Sequence, residues 1–134
     1  MIHRPLKIGR WEVDFLFVRD KYDVESISTY LYFAGASEMV LEQAEDLMWM
    51  CEYNSGFTFT NEKLHRAVVV IGPTTSGAEF QDTFVHELHH LAVAIAASLG
   101  VDLESETPAY VAGDSVRELA DVICRLGCSN CDGR

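Results

Sequence analysis

The sequence predicts a single α+β domain over residues 1–134, with a small antiparallel sheet against helices and one helix buried in the core. Three observations lead there. Short alternating or β-branched runs at 11–19, 57–60 and 67–71 fall between longer stretches with helical spacing. Cap and turn residues separate those stretches at each junction. Apolar residues make up 49% of the 134, enough to close one core without disulfide staples.

In chain order, Trp11, Val13, Phe15 and Phe17 alternate with Glu12 and Asp14, which is a strand with one buried face. Leu16 and Val18 break that alternation. Asp23 is placed to cap a short helix to about Tyr32, with Ile27, Tyr30 and Leu31 inward. After Gly35-Ala36, Ser37 caps a second helix to about Glu52, whose Val40, Leu41, Ala44, Leu47, Met48 and Cys51 recur at helical spacing. Asn54-Ser55-Gly56 ends it. Phe57-Thr58-Phe59-Thr60 and Ala67–Ile71 then form a hairpin around a short polar connection. Ser76 and Glu79 fit a capping box, opening a helix that runs to Leu99 and stops at Gly100. Phe84, Val85, Leu88, Leu91, Val93 and Ile95 spread around that helix, so it is expected to run through the core. A last helix is expected from Glu106 or Pro108 to Leu126, with Val111, Leu119, Ala120, Val122 and Ile123 buried.

The formal charge is −11, from 21 acidic and 10 basic residues. Residues 68–134 hold 10 acidic and 3 basic residues, so most of the excess lies in the C-terminal half. A surface that negative repels phosphate backbones and anionic lipid, which argues against nucleic acid and membranes as partners. No run reaches the apolar length of a membrane-spanning helix, and the first residues lack a signal-peptide core. A cytoplasmic protein with reduced cysteines is the expectation.

Within the third predicted helix stands His86-Glu87-Leu88-His89-His90, an H-E-x-x-H string. On a helix His86 and His90 project from one face, where two imidazoles can share a Zn²⁺. Glu87 then lies beside the ion, where a water-activating base is needed. A buried helix that left these groups unpaired would lose kilocalories for each, and a metal would satisfy them together. A catalytic zinc site wants a third protein ligand and one open position. Three carboxylates, Asp102, Glu104 and Glu106, lie in the connection to the last helix. Ala94 and Ala97 follow His90 on nearly one face, leaving room for that helix to approach. Glu106 is the chosen ligand, because Ala109 follows three positions later; Glu104 is the fallback.

These residues resemble the gluzincin metallopeptidases, whose H-E-x-x-H is followed downstream by a Glu ligand, often as E-x-x-A. From about Phe57 to Asp114 the chain is also similar to small zinc peptidases encoded by bacteria and their phages. The resemblance covers less than half the chain. It implies a minimal zincin-like domain in which His86, His90 and Glu106 bind zinc and Glu87 is the base. It also implies a peptide or protein substrate, bound along the hairpin by strand pairing. Two departures stand against the pattern. The interval from His90 to Glu106 is short, and Pro108 disfavours helical geometry at Thr107.

Tyr110, one turn past Glu106, is the candidate to stabilise an oxyanion, with Tyr53, His65 and Arg66 behind it. Asp114 is a candidate to orient a histidine from behind, or a solvated helix residue. His89, in the variable part of the motif, points away from the pair. Cys124, Cys128 and Cys131 have spacing for a second metal; a reduced tail with Cys124 facing the core is the favoured reading, and Cys51 is expected in the core.

Two functions compete. One is a zinc peptidase (a hydrolase using metal-activated water). The other is a catalytically silent zinc-binding or interaction protein of a mobile element. The short chain leaves little room for a deep cleft, which favours the second; retention of Glu87 favours the first. An accidental motif on an ordinary α+β domain is the third reading.

Overall fold

A computed structural model describes residues 1–127. Four strands, β1 (Ile2–Ile8), β2 (Trp11–Phe17), β3 (Gly56–Asn61) and β4 (Arg66–Ile71), form one sheet in the order β1-β2-β4-β3. Five helices flank it: α1 (Val24–Phe33), α2 (Glu38–Met50), α3 (Gly77–Ser98), α4 (Thr107–Glu118) and α5 (Ala120–Gly127). The α+β class holds. The sheet is mixed, not purely antiparallel, because its central pair β2 and β4 is parallel. Parallel neighbours need a long crossover, and here α1 and α2 supply it.

Both faces of the sheet are covered, which explains why Leu16 and Val18 interrupt the β2 alternation. Val13, Phe15 and Phe17 of β2 join Val69 and Ile71 of β4 in a core beneath α3, α4 and α5. Leu16, Val18, Val68 and Val70 face the other way, against Ile27, Leu31, Ala44 and Met48 of α1 and α2. Phe17, Phe80 and Phe84 contact one another with ring centroids about 6 Å apart, so α3 is seated on the sheet largely through aromatic area.

The helix starts follow the sequence closely. Asp23, Ser37 and Ser76 each accept a hydrogen bond from the backbone N–H three residues on. Hydrogen bonds from Ser26, through its side chain and its backbone, hold the Asp23 carboxyl below its usual range. A lowered carboxyl supports α1 above the ordinary carboxylate range, and that support is lost as the pH falls through the lowered value. Ser76→Ala should cost about 1 kcal/mol, read as a lower urea midpoint at unchanged slope. Gly100, at φ 69°, ends α3 in the left-handed region that glycine favours.

Four features depart from the sequence reading. Strand β1 was not anticipated; it pairs antiparallel with β2 at the sheet edge, and its Pro5 is tolerated there. The last helix is two, α4 and α5, divided at Leu119. Helix α3 buries one broad face instead of its whole circumference: Phe84, Leu88, Leu91 and Ile95 are covered, and Val85 stands in solvent. Cys51 and Cys124 are exposed, not in the core. Cys51 takes the left-handed C-terminal position of α2 at φ 53°, which turns it out of the buried stripe. Cys124 lies on α5 between buried Val122 and Gly127, on the side turned to solvent. Cys128 and Cys131 lie outside the described residues.

Candidate metal centre

Sheet order decides what surrounds the motif. Strand β3 is an edge strand, paired with β4 alone among the described residues. Register sets its faces: Phe57 opposite Val70 and Phe59 opposite Val68 turn toward α1 and α2, so Thr58 and Thr60 turn toward α3. The result is a groove between β3 and α3, about 470 Å³, lined by Thr58, Thr60, His86, Glu87 and His90 with Gly56 and Phe57. A smaller cavity of about 240 Å³ continues past Glu87 to Asn54, Ser55, Asp82 and Thr83.

His86 and His90 are exposed on the groove side of α3, and their Nε2 atoms stand 3.2 Å apart. The rings meet edge to face, with centroids 4.8 Å apart. Two imidazole lone pairs at that separation repel unless a proton or a cation lies between them. A tetrahedral ion with nitrogen bonds of about 2.0–2.1 Å holds two such atoms about 3.3 Å apart. The pair as it stands makes one N–H···N hydrogen bond, and the same separation matches the bite of a small divalent ion.

Glu87 differs in kind. It is 5% exposed, yet it carries a carboxylate. Its Oε1 accepts a hydrogen bond of 2.9 Å from the Thr58 hydroxyl, and its Oε2 lies 4.0 Å from His86 Nε2. The buried acid is thus anchored at one oxygen and presented to the histidines with the other. Gly56 makes the approach possible, since a Cβ there would lie 3.2 Å from Glu87 Cγ and would collide with the Val70 carbonyl. Behind the groove, burial pushes the Tyr22 phenol up, against a hydrogen bond to Ser55 that lowers it; Cys51, Glu87 and Glu52 add to the rise. The phenol therefore stays protonated at neutral pH.

Other residues singled out from the sequence lie apart from this group. Helix α4 packs on a different side of α3, where Leu88, His89 and Ala92 meet Pro108, Ala112 and Val116. The Ala94 and Ala97 side stays uncovered by it, Ala97 being exposed. Glu106, the N-terminal flank of α4, and Glu104 are exposed, and neither lines the groove. Among the described residues no three His, Cys, Asp or Glu side chains are grouped to hold an ion. Tyr110 is exposed and away from both cavities. Asp114 pairs with Arg117 at 2.8 Å, not with a histidine. His65 sits against Trp11, Arg66 lies near Glu12, and Tyr53 is exposed. His89 does point away from the pair, toward α4.

Thr58 and Gly56 were missed as site residues. The first carried a signal: strict alternation placed two threonines on one face of a strand whose other face is phenylalanine. Compared with models of known families, with curated proteins and with solved structures, the chain matches none. No helix among the described residues is long and apolar enough to cross a membrane.

Proposed function

We propose that this protein is a zinc-dependent peptidase. The supporting observation is the 3.2 Å separation of His86 and His90 Nε2 beside a buried, hydrogen-bonded Glu87. His86 and His90 would hold the ion. The family resemblance alone would make Glu106 the third ligand, with Glu104 as substitute. Both lie outside the groove, so either would have to swing in from the connection before α4 when the ion binds. Zinc bound there supplies a Lewis acid that makes water acidic near neutral pH and polarises a carbonyl.

The chain's own residues do the rest. Glu87 Oε2 accepts a proton from the attacking water and delivers it to the departing amine nitrogen. Thr58 holds Oε1, so the free oxygen keeps one orientation through both transfers. The unpaired edge of β3 would take an extended substrate segment by main-chain pairing, laying its scissile bond across the groove. The four-cysteine chain suits a cytoplasmic setting, where thiols stay reduced.

The test is zinc content by elemental analysis with a peptide-library digest. Purified protein should carry one zinc per chain, and His86→Ala and His90→Ala should each lose it. Glu106→Ala should weaken the metal; if Glu104→Ala does so instead, the third ligand is Glu104. Zinc-free protein that takes up none on titration sinks the reading. Thr58→Val should keep the metal and slow cleavage about tenfold, mainly in kcat, because the carboxylate loses its anchor.

A second reading rests on the exposure of His86 and the openness of the groove: a zinc-binding interaction protein without turnover. It is distinguished by a metal-loaded protein that leaves every library peptide intact.

A further inference from the structure

On the face of the sheet opposite α3, helices α1 and α2 carry a surface that the metal reading does not use. Half of the exposed large apolar side chains among the described residues, seven of fourteen, fall between Tyr32 and Tyr53. They include Tyr32, Phe33, Met39, Trp49 and Met50, with Trp49 70% exposed. Between the two helices and the segment before α1 runs a groove of about 910 Å³, with Tyr32, Leu41 and Trp49 on its walls and Asp23, Glu25 and Glu45 around them. An indole left in water on this scale is costly unless a partner covers it.

Charge says what kind of partner. Residues 20–52 contain eight acidic residues and one basic residue, Lys21. None of those eight carboxylates has an ion-pair partner among the described residues. Glu38, Glu42, Glu45 and Trp49 follow at intervals of four, three and four, so they share one side of α2. Like charges at those intervals destabilise an isolated helix, and only Glu38, in the first turn of α2, gains from the helix dipole. A second copy docking face to face would set eight acids against eight. Anionic lipid and nucleic acid are repelled in the same way. The chemistry that satisfies both the aromatic walls and the acidic rim is a cationic, amphipathic helix. Its aliphatic side chains would fill the groove and its Lys or Arg residues would meet the rim.

We propose that the α1–α2 groove is a docking site for a basic amphipathic helical segment of a partner protein. The inference is independent of zinc and of peptidase activity.

The probe is a short synthetic Leu/Lys peptide with helical spacing, titrated calorimetrically into the full-length protein. Saturable one-to-one binding is expected, weakened by salt. Tyr32→Ser with Trp49→Ser, which removes the apolar walls and keeps the acids, should weaken it at least about tenfold. Glu42→Lys with Glu45→Lys, which keeps the aromatics and inverts the rim, should do the same. All four positions are solvent-facing, and circular dichroism confirms that each double variant is folded. If one pair fails to fold, the other still decides. The proposal is overturned if the peptide does not bind or if both variant pairs bind it unchanged. It is equally overturned if a scrambled peptide of the same composition binds as well. Sedimentation showing a dimer that is lost in Tyr32→Ser with Trp49→Ser would assign the face to a second copy instead.

Discussion

Glu87→Gln should bind one zinc per chain as the parent does and lose peptide cleavage by about a thousandfold, the range a positioned general base supplies. The substitution is nearly isosteric, and the amide oxygen can still accept the Thr58 hydrogen bond that now reaches Oε1 at 2.9 Å. It removes a basic oxygen facing His86 Nε2 across 4.0 Å and leaves both imidazoles in place. Metal content and stability are therefore expected to hold while kcat falls. Library digestion beside elemental analysis separates the outcomes. Cleavage that survives in Glu87→Gln at full zinc occupancy assigns the base elsewhere. A variant that loses zinc together with activity makes Glu87 a ligand or a structural support.

The same residues show how far sequence alone reaches. The H-E-x-x-H pair was legible because a helix relates positions four apart by its own geometry, whatever surrounds it. Asp23, Ser37 and Ser76 were legible as caps for the same reason, each bonding an N–H three residues away. What depended on distant partners was not legible. Strand β1 carries His3, Arg4, Pro5 and Lys7 among its seven residues and does not show as a strand until β2 pairs with it. The parallel relation of β2 and β4 follows from where α1 and α2 cross, which no local pattern records. Helix α4 has small residues suited to close packing, but the side of α3 it meets is set by Leu88 and Ala92, not by the histidines. The division of α4 from α5 at Leu119 has neither glycine nor proline to announce it. Thr58 reached Glu87 only through the register of β3 on β4.

That register exposes the most vulnerable position in the groove, and Gly56→Ala should reveal it. Gly56 pairs with Ile71 at the start of β3, and its missing Cβ points where the Val70 carbonyl oxygen already lies. Backbone cannot rotate aside as a flexible side chain can. The strand must lift from β4, and the added methyl also sits 3.2 Å from Glu87 Cγ. Overpacking of this kind costs about 3 kcal/mol, and a lower urea midpoint at unchanged slope would report it. The site should respond unevenly. His86 and His90 belong to one helix, so their spacing does not depend on β3, and zinc uptake should persist in the folded fraction. Glu87 depends on β3 through Thr58, so cleavage should fall well beyond the loss of folded protein. Equal losses of zinc and cleavage would mean that the strand supports the whole centre. An undiminished midpoint would mean that β3 does not lie against β4 and Glu87 as described.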